Sequence, residues 1–281
     1  MTVNPISTSR IQSAIAQASS KTGVDFSYLL GQAKLESGLN ASARAGSSSA
    51  SGLYQFIDQS WLAVVKKHGA DNGLGWAANA IGQTASGRYT VGDGATKQAI
   101  LALRNDPSTA SMMAAEHAAD NKDALEGTLG RAATGTDLYM AHFLGLGGAK
   151  KFLTAMQADA GTSAAALFPA AANSNRGIFY AANGQPRSLG DIYDRFAAKL
   201  DTATASAGGA ASTSYAAQSL DVAGSTVITG ANQSAEDALN WATAAMGRFG
   251  GGGIQTAGAS LMRPTPDTAR LAYMMLANLG G

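Results

Sequence analysis

Residues 25–38 read Asp-Phe-Ser-Tyr-Leu-Leu-Gly-Gln-Ala-Lys-Leu-Glu-Ser-Gly, a pattern that predicts a helix with one carboxylate on its apolar side. Asp25 suits the N-cap position in front of such a helix. Leu29, Ala33 and Glu36 follow at steps of four and three, which puts them on one helical face. Because burial penalises the charged form of a carboxylate, a glutamate on the inner face is suited to donate a proton as a general acid. Glu36 is therefore the candidate catalytic residue.

Composition excludes several classes of protein. The chain has 281 residues, enough for one large domain or for one domain with an appendage. Its formal net charge is +1, which gives no reason to expect a nucleic-acid partner. Cysteine is absent, so disulfides, thiolate catalysis and cysteine metal sites are excluded. The three histidines, His68, His117 and His142, lack the spacing of a zinc site, and we expect neither a metal nor another cofactor.

The amino-terminal segment does not have the pattern of a secretory signal. Residues 1–21 are rich in Ser, Thr and Gln and lack a long apolar core. No stretch of the chain is long and apolar enough to span a bilayer, so we do not expect an integral membrane protein. A destination outside the cytoplasm would then require another export route, or a leader that this chain has lost.

The periodicity predicts a mainly α-helical domain at residues 1–204. The expected helices cover residues 9–20, 25–37, 58–68, 95–104, 107–126, 136–144, 149–158 and 189–200. Residues 38–51 should form a loop with at most a small hairpin, and residues 73–94 carry many glycines and should be irregular. Residues 205–232 have the Ala/Ser/Gly-rich composition of a linker. A C-terminal helical tail is predicted at residues 233–281.

Two motifs of the predicted domain resemble those of a known family. Residues 35–38, Leu-Glu-Ser-Gly, and residues 52–55, Gly-Leu-Tyr-Gln, are similar to the Glu-Ser and Gly-Leu-Met-Gln motifs of the soluble lytic transglycosylases. These are lysozyme-like enzymes that act on peptidoglycan, and their third motif, Ala-Tyr-Asn-Ala-Gly, would fall on residues 141–145. The resemblance covers roughly residues 9–200 and implies a lysozyme-like fold.

The third motif departs from the family pattern. His142 stands where the family has tyrosine, and Phe143 replaces asparagine. Tyr139 lies one helical step from His142 and can take over the role of that tyrosine. Both Tyr139 and His142 are candidates for the wall of a glycan cleft, with a place in the apolar core as the alternative for each.

The resemblance implies a reaction with one carboxylate. In the family, the glutamate protonates the leaving glycosidic oxygen, the C6 hydroxyl of the sugar attacks, and a 1,6-anhydro end forms. Most hydrolases instead place a second carboxylate within ~5–10 Å of the first. Residues 37–56 contain no Asp or Glu, and Asp58 is explained more simply as a helix cap. The sequence thus favours transglycosylation, with Glu36 as general acid and base.

The other motif residues are expected to hold glycan. Ser37 can hydrogen-bond the Glu36 carboxyl or the backbone, and the amide of Gln55 can bind an N-acetyl or hydroxyl group. Tyr54 is expected to stack on a sugar face. One of the serines at residues 47–49 should point into the cleft, and Ser48 is taken as the candidate. Gly52 would let the backbone approach the sugar.

Two other functions stay open at this point. One is a peptidoglycan hydrolase of muramidase or glucosaminidase type, with a second carboxylate from elsewhere in the fold. The other is a non-catalytic glycan-binding component of a secretion, flagellar or phage assembly, which the changes at His142 and Phe143 suggest. The expected partners are glycan strands, with a secretion, flagellar or virion protein on the tail. The expected location is the periplasm or cell envelope, by an export route that the sequence does not reveal.

Overall fold

The computed structural model describes residues 5–46 and 48–209 of the chain. This part is mainly helical and contains one two-stranded sheet, which agrees with the predicted mainly α class. The predicted linker is described only as far as residue 209, and the predicted tail at residues 233–281 lies outside the described residues. No helix in the described part is both long and apolar enough to pass through a membrane.

The helices are labelled here in chain order. They are α1 (Pro5–Thr22), α2 (Phe26–Ser37), α3 (Asp58–His68), α4 (Gly75–Ala80), α5 (Gly94–Ala102), α6 (Pro107–Leu129), α7 (Gly135–Ala158), α8 (Ala164–Leu167), α9 (Pro169–Ser174), α10 (Arg176–Phe179) and α11 (Leu189–Ser206). Short 3-10 turns at Ala70–Asn72 and Leu103–Asn105 follow α3 and α5.

The sheet lies between α4 and α5, in the segment expected to be irregular. Its strands, β1 (Ile81–Gln83) and β2 (Tyr89–Val91), are antiparallel, with Ile81 paired to Val91. The prediction of irregular structure for residues 73–94 was wrong, because strands of three residues and the six-residue helix α4 are too short to show a period in the sequence. The helices α8, α9 and α10 were also not predicted, since four to six residues are too few to show helical periodicity.

Helix α2 lies at the centre of the larger core. Its residues Leu29 and Ala33 are fully buried, as the sequence predicts, and Asp25 caps its start by accepting a hydrogen bond from the Tyr28 N–H at 2.8 Å. Gly31 allows α11 to approach, because a Cβ there would collide with Leu200 and Thr204. These contacts bring α11 alongside the acid-bearing helix.

A second core lies around α3. Trp61, Leu62 and Val65 are fully buried, which confirms the inward positions expected for this helix. The indole N–H of Trp61 donates to the carbonyl of Ile100 at 2.7 Å and thereby ties α3 to α5. This smaller cluster supports the loop that carries residues 52–56.

Helix α7 is broken where the sequence predicts a stop. Gly145 has φ 70° and ψ 160°, a conformation that glycine adopts readily, and the helix resumes directly after it. The start of α7 is fixed to α11 by Asp137, which is fully buried. Its carboxylate pairs with Arg131 at 2.6 Å and accepts a hydrogen bond from the Tyr193 hydroxyl at 3.0 Å. The positions of Tyr139 and His142 follow from this anchor.

Candidate active site

Glu36 lies in the last turn of α2 with most of its side chain covered. The side chain is 15% exposed, so the inward orientation that the spacing predicts is confirmed. The helix ends immediately after it, because Gly38 adopts a left-handed φ of 65° and its N–H donates to the Lys34 carbonyl at 3.0 Å. The carboxyl group therefore sits at a helix end, within reach of neighbouring elements and of solvent.

His142 of α7 contacts the Glu36 carboxyl directly. Its Nε2 lies 3.2 Å from Oε1 of Glu36, and its side chain is 30% exposed. A protonated Nε2 donates a hydrogen bond to the carboxylate, and the contact becomes an ion pair when the ring is charged. The sequence left the cleft wall and the apolar core open as places for His142, and the structure adds this contact with the acid.

Two buried phenols complete the surroundings of Glu36. Tyr139 is 4% exposed, and its ring stacks on His142 with the centroids 6.0 Å apart. Tyr28 of α2, which sequence reasoning missed, is 2% exposed. Burial raises the pKa of Tyr28 and of Tyr139 well above 10, and the charge of Glu36 raises both further. Both hydroxyls consequently stay protonated. A tyrosine about two turns before a helix-end acid was the sequence signal for Tyr28.

Lys199 of α11 is the second residue that sequence reasoning missed. It is partly buried, and burial lowers its pKa while the charge of Glu36 acts in the opposite direction. No carboxylate oxygen of the described residues lies within 4.0 Å of its ammonium nitrogen. Its sequence context, a charged residue on an amphipathic helix, gave no sign of this environment because the contact depends on how α11 packs against α2.

His117 of α6 lies behind His142. Burial, and after it the charge of His142, lowers the pKa of His117 to about 4, so its ring is neutral at neutral pH. The ring contacts Asn121 at 3.4 Å and Phe56 at a centroid distance of 6.4 Å. His117 thus joins α6 to the loop of residues 52–56 without adding charge to the site.

Tyr54 does not have the role predicted for it. It is 1% exposed, so its ring cannot present a face to a sugar, and the expectation of a stacking wall is corrected here. The ring belongs to the core beside Tyr28, which interacts with both Tyr54 and Glu36. Burial raises the pKa of Tyr54 above 10. Tyr54 thus supports the residues around the acid from behind.

Gln55 is held by the backbone of its own loop. Its side-chain N–H group donates to the carbonyls of Ala43 at 3.2 Å and Gly52 at 2.8 Å. The nitrogen end of the amide is therefore in use, and only the oxygen end can accept a hydrogen bond from a ligand. Binding of glycan by Gln55 stays a prediction, and it would use the oxygen of the amide.

The predicted serines serve the local backbone. Ser37 Oγ donates to the Ala33 carbonyl at 3.0 Å and accepts from the Asn40 N–H at 3.2 Å. Of the two roles considered for Ser37, the bond to the backbone is the one observed. Ser48 Oγ accepts from the N–H of Ala50 at 3.2 Å, a contact within its own turn.

Arg104 anchors the loop of residues 52–56 and determines the surroundings of Asp58 and Gly52. Its guanidinium is nearly buried and donates to the carbonyls of Ser49 at 2.8 Å and Phe56 at 2.9 Å. It also pairs with Asp58 at 2.9 Å, so that carboxylate is already engaged. A Cβ at Gly52 would collide with the Arg104 carbonyl, so packing by itself already requires glycine here.

The site therefore consists of one shielded carboxyl group with an imidazole, two phenols and an ammonium around it. None of these four neighbours can act as a second carboxylate. Within residues 5–46 and 48–209, no cluster of three or more His, Asp or Glu side chains is arranged to hold a metal ion. No model of a known protein family matches this chain, so a function must be argued from this geometry and from the motifs.

Proposed function

We propose that the chain is a peptidoglycan lytic transglycosylase with a lysozyme-like fold, in which Glu36 is both general acid and general base. The observation that carries the proposal is the environment of Glu36. Its side chain is 15% exposed, and the described residues shown to contact it or to interact with its charge, His142, Tyr28, Tyr139 and Lys199, include no second acid. A reaction whose nucleophile belongs to the substrate needs one carboxyl group, whereas most glycoside hydrolases use two.

The proposed reaction balances with this one group. Protonated Glu36 gives its proton to the glycosidic oxygen between muramic acid and glucosamine as the bond from C1 to that oxygen breaks. The C6 hydroxyl of the same muramic acid bonds to C1, and the Glu36 carboxylate accepts the proton that the hydroxyl loses. The strand is cut, a 1,6-anhydro end forms, no water is consumed, and Glu36 is again protonated.

The neighbours of Glu36 have distinct roles in this proposal. His142, 3.2 Å away, fixes the orientation of the carboxyl group, and Tyr139 fixes the ring of His142 by stacking. The phenols of Tyr28 and Tyr139 remain neutral and buried, so they support Glu36 and His142 without competing for the proton of the acid. The oxygen end of Gln55 can accept the N–H of an N-acetyl group.

The test is a digestion of purified peptidoglycan followed by mass spectrometry of the products. We expect anhydro ends from the wild-type chain and none from Glu36→Gln. Glu116→Gln is a matched control, because Glu116 has a similar exposure of 19% and also contacts a histidine, His68, at 3.5 Å. It should cleave like the wild type. Reducing ends formed with water would instead indicate a hydrolase, and binding without cleavage would indicate a glycan-binding component.

We propose the cell envelope as the place of this activity and the glycan strand as its partner. A further partner on the tail, such as a secretion, flagellar or virion component, remains a hypothesis based on the sequence.

A further inference from the structure

We propose that Lys199 forms a subsite beside Glu36 that binds a carboxylate on the glycan strand. This inference rests on the proposed function, since it assigns a ligand to one wall of the same site. The ligand is identified by its chemistry, a sugar that carries an anionic substituent, such as the lactyl carboxylate of muramic acid. A glycan without such an anionic substituent would occupy the same site but would not form the ion pair with Lys199.

The packing of α11 determines where Lys199 lies. Thr204 Oγ donates to the Ser27 carbonyl at 3.0 Å, and Leu200 lies against Gly31, so α11 runs beside α2 in the opposite direction. One turn before Leu200, the ring of Phe196 packs against Tyr139 with centroids 5.6 Å apart. This register brings the stretch between Phe196 and Leu200 to the junction of α2 and α7, where Glu36 lies.

Phe196 also contacts a second residue of α7. Its ring centroid is 4.9 Å from that of Phe143. These contacts fix α11 on both sides of Lys199, since Phe196 precedes it by three residues and Leu200 follows it directly. The lysine is therefore held near Glu36 by the core and not by a flexible backbone.

The charge of Lys199 is uncompensated at short range. It is partly buried, it interacts with Glu36 from beyond ion-pair distance, and no other acid of the described residues lies within 4.0 Å of its ammonium. A partly buried cation without a close partner loses hydration that nothing in the described fold replaces. An anionic ligand would supply that partner and would be drawn toward the acid that cleaves it.

The titratable groups at this subsite are grouped around Glu36. Glu36 of α2 interacts with Lys199, and His142 and Tyr139 of α7 adjoin Glu36. Glu36 is the only anionic type among these three, and in the proposed reaction it enters the catalytic step protonated. Repulsion of a substrate carboxylate is then absent when the acid is ready to react.

The experiment uses the full chain with Glu36→Gln, so that bound glycan is not cleaved. Two probes are compared by calorimetry: peptide-free glycan strands with their lactyl carboxylates, and the same strands with these carboxylates converted to neutral methylamides. We expect the anionic strands to bind roughly 3- to 10-fold more tightly, the range of a partly screened ion pair. Adding Lys199→Met should remove this preference, and Lys199→Arg should retain it.

The control with the same change in net charge is Lys151→Met on α7, whose ammonium is occupied by the Leu167 carbonyl at 3.1 Å and by the ring of Phe168. It should leave the preference intact. Equal binding of the two probes, or a preference that survives Lys199→Met, would overturn the subsite and leave the proposed function standing. Failure to bind either probe would overturn both. Thermal unfolding of each variant establishes that the comparison is made between folded proteins.

Discussion

Gly52 offers the sharpest test of how the loop beside Glu36 is held. Its φ is 83°, and a Cβ there would collide with the carbonyl of Arg104, the residue that anchors the loop. For Gly52→Ala, the left-handed conformation costs about 1–2 kcal/mol, and forcing Arg104 aside costs about 1–3 kcal/mol more. We therefore expect the free energy of unfolding to fall by about 3 kcal/mol.

The matched control is Gly73→Ala. Gly73 has a similar φ of 75°, but nothing lies within 4 Å of the position of its Cβ. This variant should lose only the conformational part, about 1–2 kcal/mol. Urea unfolding followed by circular dichroism measures both values, and the difference between the variants isolates the contact with Arg104. Equal losses would refute the claim that Arg104 makes glycine necessary at position 52.

Other predictions concern the elements that support the site. Tyr193→Phe should lower the free energy of unfolding by about 1–3 kcal/mol, because it leaves buried Asp137 with one hydrogen bond fewer, and a loss below 0.5 kcal/mol would contradict that role. In a thermal melt, Gly145→Ala should be destabilised by about 1–3 kcal/mol, because φ 70° with ψ 160° is a conformation that essentially only glycine adopts, whereas Gly147→Ala, in helix with open space around it, should be neutral or stabilised. Since the folded pKa of His117 is about 4, below its ordinary 6.5, the unfolded chain binds the proton first as the pH falls. Stability should therefore decrease from about pH 6.5 to about pH 4, by up to about 3 kcal/mol, and His117→Gln should flatten this dependence in urea titrations across that range. An unchanged slope would refute it.

Local features of the sequence predicted the helix that carries the acid. The cap at Asp25 and the spacing of Leu29, Ala33 and Glu36 depend on residues within one helix, so the sequence contains all of that information. The same holds for the break at Gly145, which a glycine in an apolar helix indicates.

The errors at the site arise from contacts between distant parts of the chain. Tyr54 was expected at the surface, but its burial depends on how its loop is drawn inward, and Arg104 determines this from a separate element. Lys199 was missed for the same reason, since its proximity to Glu36 follows from the packing of α11. Neither contact leaves a periodic signal in the sequence.

The role of His142 depends partly on local sequence and partly on contacts between distant elements. Its position in an apolar helix left the cleft wall and the core open as places for it, and it stands where the resembling family has tyrosine. Its distance of 3.2 Å from Glu36 could not be read from the sequence, because it requires the relative placement of α2 and α7.

In the proposed reaction, Glu36 alone supplies both proton transfers of a transglycosylation. This is tested by cleavage of peptidoglycan in water enriched in oxygen-18, with mass spectrometry of the new muramic acid ends. We expect anhydro ends that contain no oxygen-18, formed by the wild type and by Glu116→Gln but not by Glu36→Gln. Labelled reducing ends, or cleavage that survives Glu36→Gln, would contradict it.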